Sequence, residues 1–287
     1  MSTRDELVLA AVGGGRVARG GWVRGNCPFC PERAGKEDAK RSLGMNATTG
    51  YFACFRCGMR GRVAEITLDF DTSEVVERPR TIEPPEAFTS LVEGPGATAE
   101  SLASARAYLR GRGLDEALWA AVGLGACATG RYAGRVVVPI FDETGETWCG
   151  WVSRAWYKKA TVPYLYPEGM DRATVLYNSA ALQIETDEPA VIVEGVMDAI
   201  CPAVFPHGVA LLGKHSPAQL DQLHEARRPL AIVLDGDAHE EGEMLALRLR
   251  FDGMRAFSVK LPAGRDPDEM GSEWLHAQLR EGQKLVT

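Results

Sequence analysis

The sequence has no apolar run approaching the roughly 20 residues that cross a bilayer, so no membrane-spanning segment is expected. It has no signal-peptide start either. In MSTRDELVLAAVGGGR the acids Asp5 and Glu6 precede a short apolar stretch, where a secretory leader is basic. A cytoplasmic setting is therefore expected, and the stretch reads as a short amphipathic helix ending at Gly13-Gly14-Gly15. Cysteine is sparse, with 7 in 287 residues, and in a reducing compartment these are expected to be free or metal-bound rather than paired. No GxxxxGK[ST] phosphate loop occurs, which excludes an NTPase motor of that kind. Net positive charge is also missing. The chain carries 32 Lys and Arg against 39 Asp and Glu, a bulk balance that argues against a nucleic-acid binder.

The distribution of charge changes that reading. Residues 1 to 64 hold 11 Lys or Arg against 5 Asp or Glu, while the rest of the chain holds 21 against 34. A basic N-terminal module is joined to an acidic body, and such asymmetry points to nucleic-acid contact through the basic part. Inside the module, Cys27-x2-Cys30 and Cys54-x2-Cys57 form two knuckles. Their four thiolates suit one tetrahedral, structural Zn²⁺, which a module this small needs as a staple. Ser42 to Asn46 and Tyr51 to Ala53 read as a hairpin, turning at Ala47 to Gly50. Arg33, Lys36, Lys40, Arg41, Arg56, Arg60 and Arg62 surround Tyr51, Phe52 and Phe55, a mixture that suits single-stranded nucleic acid; the bland alternative is that the rings are the hairpin's own core. Cys127, Cys149 and Cys201 lack partner spacing and read as core residues.

The acidic body is organised around two stretches. Ala190 to Val193 and Leu230 to Leu234 are short β-branched runs that read as strands buried on both faces of a parallel sheet. The first ends in Glu194 with Asp198 one helical turn later, the second in Asp235 and Asp237. Chemistry in open α/β sheets collects beyond the carboxyl ends of the strands. Carboxylates gathered there repel one another, and a hard divalent cation such as Mg²⁺ resolves the conflict.

Between module and body, residues 71 to 98 are proline-rich and lack apolar periodicity, so a flexible tether is expected there. Ala99 to Arg112 and Asp115 to Val122 read as helices. Arg135 to Phe141 and Thr147 to Arg154 read as a strand pair turning at Asp142 to Gly145. Arg135 and Arg154 flank strands leading toward the acids and are the basic residues favoured for ligand contact.

Taken together, these segments resemble bacterial DnaG-type primases in their short, phage-like form, from near the N-terminus to about residue 270. GNCPFC and CFRCGMRG resemble that family's zinc ribbon, and YLRGRGLDEALWAAVGLG the helical opening of its polymerase domain. GRVVVPIFDETGETWCGWVSR and YLYPEGMDRATVLYN resemble the strand motifs that follow. VIVEGVMDAI, VALLGKHS, IVLDGDAHEEG and LPAGRDPDEM resemble the TOPRIM domain, a metal-binding fold of primases, topoisomerases and some nucleases.

The resemblance implies a zinc-ribbon β module followed by an α/β catalytic domain with a TOPRIM, parallel-sheet and Rossmann-like, core. The implied boundaries are a zinc-binding domain at 1–70, the linker at 71–98, the N-terminal part of an RNA polymerase domain at 99–185, the TOPRIM domain at 186–270 and a tail at 271–287. The implied activity is template-directed synthesis of short RNA primers on single-stranded DNA from NTPs, with two Mg²⁺ or Mn²⁺ ions. Glu194, Asp235 and Asp237 would form the catalytic metal shell, with Asp198, Asp266 and Asp268 completing the acidic basin. Arg135, Arg154, Lys158, Lys159, Arg172, Lys214 and His215 would hold template, primer or triphosphate. A replicative helicase is the implied partner, and bacterial cytoplasm the implied location, that of the host if the protein is phage-encoded.

The sequence departs from the family pattern after DGD, where a small residue and a glycine are usual but Ala238 is followed by His239-Glu240-Glu241, at Val152-Ser153 in place of two glycines, and at Pro163 in place of a lysine. The competing readings are a TOPRIM nuclease and a non-catalytic zinc and TOPRIM module of the recombination-mediator kind.

Overall fold

A computed structural model describes the chain except residues 1, 2, 14, 16–21, 48, 49, 69–80, 95, 97, 98, 143, 144, 158 and 287. Lys158, the turn residues Thr48 and Thr49, and much of the expected tether thus lie outside the described residues. The chain divides into two compact units, Met1–Arg78 with Leu220–Glu225, and Pro79–Gln219 with Ala226–Thr287.

The first unit is built on a four-stranded antiparallel sheet in sequence order. Its strands are β1 (Trp22–Gly25), β2 (Leu43–Asn46), β3 (Tyr51–Cys54) and β4 (Arg60–Arg62). The expected hairpin is β2–β3, registered Leu43 to Cys54 and Met45 to Phe52. The flanking β1 and β4 went unread, because strands of four and three residues with arginine inside them leave no alternation to detect. Helix α1 (Thr3–Val12) buries Val8, Leu9 and Val12 in a core shared with Val23, Leu43, Met45, Phe52 and Val63. The bland reading therefore holds for Phe52, which is a core residue. Helix α2 (Cys30–Ala34) starts with a proline in its first turn and stops at Gly35 in the left-handed region, folding one knuckle into a single turn.

The second unit carries two sheets. The first is antiparallel, with β5 (Phe88–Ser90), β6 (Gly125–Cys127), β7 (Arg135–Phe141), β8 (Trp148–Ala155) and β9 (Tyr164–Leu165) side by side in that order. Helices α3 (Ala103–Gly111) and α4 (Glu116–Val122) stand in the places read for them, α4 capped by the Asp115 carboxylate accepting from the Leu118 N–H. Strand β5 corrects the expected linker. Residues 88–90 pair with β6, and Phe88 occupies the space above Gly125, where a Cβ would lie 2.0 Å from its ring. Three residues amid prolines carry too little pattern to be read as a strand; the partner supplies the hydrogen bonds and the glycine supplies the room.

The second sheet is parallel, in the order β11–β10–β12–β13. Its strands are β10 (Ala190–Val193), β11 (Gly208–Ala210), β12 (Leu230–Ile232) and β13 (Ala256–Ser258), and β10 and β12 are buried on both faces as their composition demands. Helices α5 (Val196–Ala199), α6 (Pro217–His224) and α7 (His239–Phe251) follow the first three strands. The expected tail instead forms helix α8 (Ser272–Gln283), whose Leu275 is fully buried. One continuous core runs from Leu91 and Leu102 through Val136, Val138, Val191 and Val193 to Leu275. The antiparallel-sheet segment and the parallel-sheet segment therefore share an interior and fold as one body.

Candidate active site and metal centre

The strand order places the site. From β10 the chain crosses to β11 on one side, then returns to β12 on the other, so the connection reverses between β10 and β12. The crevice beyond the carboxyl ends at such a reversal is where α/β sheets bind ligands. Glu194 stands at the end of β10, and Asp235 stands just beyond β12 after the buried Val233 and Leu234. One carboxylate oxygen of Glu194 and one of Asp235 are buried without a hydrogen-bond partner. Burial pushes the Asp235 carboxyl up to about 7, reinforced by Glu194, Asp266 and Asp237. Burial likewise raises Glu194, with Glu241 and Asp237 adding to the effect and the Asp235 N–H opposing it.

The remaining acids come from three further segments. Asp198, in α5, is buried, and burial with Asp268 and Asp235 nearby brings it to about 7. Asp237 is exposed at the start of the turn into α7. Asp266 caps a single 3-10 turn, Pro267–Glu269, that contains Asp268, and burial with Asp268 alongside raises Asp266. This turn is drawn to Asp235 by the backbone: the Gly236 N–H donates to the Arg265 carbonyl at 2.9 Å, and a Cβ on Gly236 would lie 2.2 Å from the Pro262 carbonyl oxygen. The glycine of DGD is thus required by a close approach of two backbones. All six acids read from the sequence are gathered into one mutually repelling set. They are not drawn as tight as the cysteines: among the described residues, only the four thiols bring three or more candidate ligand atoms within 4.8 Å of one another.

Two further residues join the site, Arg112, missed in the sequence, and Glu241, noted there only as part of a departure from the family pattern. Arg112, the residue after α3, donates from Nη2 to the Asp268 carboxylate and from Nη1 to the Tyr108 hydroxyl at 3.2 Å. Those neighbours outweigh the cost of burial and hold its guanidinium firmly charged. Asp268 is thereby tied through one oxygen to a cation of the chain itself, while its other oxygen is buried without a partner, as is one oxygen each of Glu194 and Asp235. Glu241, in the first turn of α7, lies 3.2 Å from Lys214 and 3.9 Å from His215 Nδ1. The unusual His239-Glu240-Glu241 run is simply the helix start, where acids favour the positive end of the dipole. Arg112 was not detectable alone, since an arginine after a helix is commonplace.

The basic candidates divide by environment. Arg135 is buried, and its Nη1 and Nη2 donate to the carbonyls of Pro163 and Val162 at 3.0 and 2.6 Å. It clamps the loop before β9 through these two carbonyls. Arg154 lies 4.6 Å over the Tyr164 ring and donates from Nε to the Tyr108 hydroxyl at 3.3 Å. Arg172 is exposed and stacks on Tyr166 at 4.5 Å, while Lys159 is exposed in the loop after β8. Lys214 and His215 follow β11 and share a small recess with Glu194, Leu234 and Glu241.

In the first unit the four cysteines read from the sequence converge. Cys27 Sγ lies 3.7 Å from Cys57 Sγ, and Cys30 Sγ lies 3.6 Å from Cys54 Sγ. A tetrahedron with bonds of about 2.3 Å has edges of about 3.8 Å, so the cluster fits Zn²⁺. Asp38, buried and unremarked in the sequence, braces it. Its carboxylate accepts the Cys27 N–H at 2.8 Å, the Lys40 N–H at 3.0 Å, and both the N–H and hydroxyl of Ser42 at 2.6 and 2.9 Å. Burial alone would raise Asp38, and these donors overcome it and hold the carboxyl below the usual range. On the same sheet, Arg62 stacks on Tyr51 at 5.4 Å and Arg24 on Phe55 at 5.3 Å.

No family model matches the sequence. Among curated proteins it is similar to the DNA primases of Escherichia coli K12 and Listeria innocua. The first is 24% identical over 337 aligned positions, covering 90% of this chain and 57% of the relative. The second is 25% identical over 329 positions, covering 85% and 50%. The chain thus spans about half the length of the curated relatives it matches. Among solved structures, the zinc-binding and RNA polymerase domains of Aquifex aeolicus primase align with 98% of this chain and 86% of that one, at TM-score 0.52 and 18% identity. A DnaG primase catalytic domain bound to single-stranded DNA aligns with 67% of this chain and 76% of that one, at TM-score 0.54 and 26% identity.

Proposed function

We propose that this chain, similar in sequence and fold to the zinc-binding and RNA polymerase parts of DnaG-type primases, synthesises short RNA primers on single-stranded DNA from NTPs. The observation that carries the reading is the set of buried, partnerless carboxylate oxygens on Glu194 and Asp235, at adjacent strand ends where the sheet's connection reverses, and on Asp268. Unpaired buried oxygens of that kind are costly, and a hard divalent cation satisfies them.

Glu194, Asp235 and Asp237 would hold Mg²⁺ or Mn²⁺, with Asp198 and Asp266 behind them; the arginine-bound Asp268 is better placed to orient its neighbours. Bound there, two such ions would stabilise the attacking and departing oxygens of phosphoryl transfer. The chain's own residues do the rest. Arg154 and Arg172, each seated on a tyrosine ring, would meet the nucleic acid, Lys159 and Lys214 would add cations suited to phosphate oxygens, and His215, held neutral by burial, would offer a ring N–H. Lys158 would add to the cations. The zinc unit, with Tyr51 and Phe55 backed by arginines, would stack on template bases and hold the first nucleotides, which overcomes the poor encounter of two free nucleotides by proximity. A replicative helicase would deliver the template in the cytoplasm.

The test is synthesis of labelled oligoribonucleotides with Mg²⁺, NTPs and single-stranded templates of varied trinucleotide content. Asp235→Ala should abolish it while leaving the zinc content unchanged. Undiminished synthesis by that variant would sink the metal assignment. Cutting of DNA by the native protein with metal and no NTPs would favour a nuclease.

A further inference from the structure

The Tyr108 hydroxyl joins Arg154 of strand β8 to Arg112, the partner of Asp268 in the acidic basin. Its oxygen accepts Arg112 Nη1 at 3.2 Å and Arg154 Nε at 3.3 Å. A phenolic oxygen can take two donors, so its acceptor capacity is filled by two guanidinium groups. The same Arg112 reaches past it with Nη2 to Asp268. Arg112 also stacks on the Tyr108 ring at 5.8 Å, and Arg154 on the Tyr164 ring at 4.6 Å. Tyr108 and Arg112 stand four residues apart, one helical turn, at the end of α3. Arg154 comes from β8 and Asp268 from the turn before α8. Three segments far apart in sequence thus meet on one oxygen and one guanidinium.

We propose that Tyr108 is a positioning residue that couples Arg154, on the nucleic-acid side, to the Arg112–Asp268 pair, on the metal side. This rests on the primase reading for its consequence in catalysis, but the coupling itself is a property of the site. Two like-charged guanidinium groups sharing one acceptor have correlated positions, because a shift of either changes the electron density and angle available to the other. When Arg154 is drawn toward a phosphate, Arg112 gains the hydroxyl alone and its hold on Asp268 is re-aimed. The acidic segment that carries Asp268 is then adjusted by the state of Arg154. Simple Coulomb repulsion between the arginines would also couple the two sides, but it would not need the hydroxyl, and that difference is what an experiment can read.

The experiment uses the full chain with its zinc bound. Mn²⁺ affinity is measured by paramagnetic titration, and primer synthesis gives KM for NTP and kcat. Arg154→Met and Asp268→Asn are made singly and together, in the native background and in Tyr108→Phe, which keeps the ring stacking and removes only the hydroxyl. In the native background the double variant should depart from the product of the singles by about threefold or more in Mn²⁺ affinity and in KM. In Tyr108→Phe the effects should multiply independently. Arg112→Lys, which keeps the charge but cannot span both partners, should abolish the coupling in the same way. Coupling of equal size in Tyr108→Phe, or no coupling in the native background, would overturn the proposal. If the native protein binds Mn²⁺ with the expected coupling but makes no primer, the primase reading fails and this one stands. Melting temperatures on every variant separate lost coupling from lost fold.

Discussion

Asp198 is a carboxyl that burial carries to about 7 in the folded chain. Its ordinary value is about 3.9, so the folded state favours its protonated form. The stability it contributes is complete below the ordinary value and is lost as pH rises through about 7. Asp198→Asn should therefore stabilise the protein at pH 8, with no divalent cation added, by on the order of 1–3 kcal/mol, and the gain should vanish near pH 4; thermal melts across that range measure it. His207 behaves in the opposite sense. Its Nδ1 faces Arg228 Nη2 at 3.2 Å and its Nε2 faces Glu188 at 3.0 Å. Burial, then Arg228, hold the imidazole below its ordinary value, despite Glu188. Stability from His207 is present above about 6.5 and is lost as pH falls below it. His207→Asn, which keeps an acceptor for Arg228, should flatten the acid limb of the melting curve without changing it at pH 8. For the zinc cluster, Asp38→Ala removes the carboxylate braced on the Cys27 N–H. Zinc affinity in a chelator competition should fall by about 10- to 100-fold.

At the scale of elements, the site depends on how closely the 262–268 segment approaches β12. That approach is backbone on backbone at Gly236, with no side chain to yield. Gly236→Ala must push Pro262 to Arg265 outward, and with them Asp266 and Asp268. Destabilisation of about 1–3 kcal/mol is expected, with a parallel loss of Mn²⁺ affinity larger than the stability change alone explains. Strands β10 and β12 were legible because a parallel sheet buried on both faces leaves continuous β-branched runs. Strands β1, β4 and β5 were not, since none carries a continuous β-branched run and each takes its identity from a neighbour. The short α5 and the 3-10 turn before α8 are held by tertiary packing for the same reason, and isolated segments of that length have no helical stability of their own.

At the scale of the molecule, each unit has its own core, and only the first is small enough to depend on a metal. Chelation should therefore lower or abolish the melting transition of the first unit while the transition of the second remains, as two separately moving heat-capacity peaks. A single transition moving as a whole under chelation would contradict this. The continuous core of the second unit also explains why sequence boundaries at 185 and 270 do not behave as domain edges: Leu275 and Val138 line the same interior as Val193. The acidic balance of the chain likewise had to be read by region, because the basic first unit and the acidic basin oppose each other in the sum.

By itself the sequence determined the donor types. Four cysteines in two knuckles, and acids following β-branched runs at 190–193 and 230–234, state their chemistry through spacing alone, since a knuckle or a strand end is a local feature. Only the tertiary structure decided how the charges are paired. It turned Arg135 inward onto backbone carbonyls, gave Asp268 to Arg112, braced Cys27 with Asp38, and brought Arg154 and Arg112 to one hydroxyl. Ion pairing depends on distance across the fold, and an arginine's partner 156 residues away leaves no periodic trace in the chain.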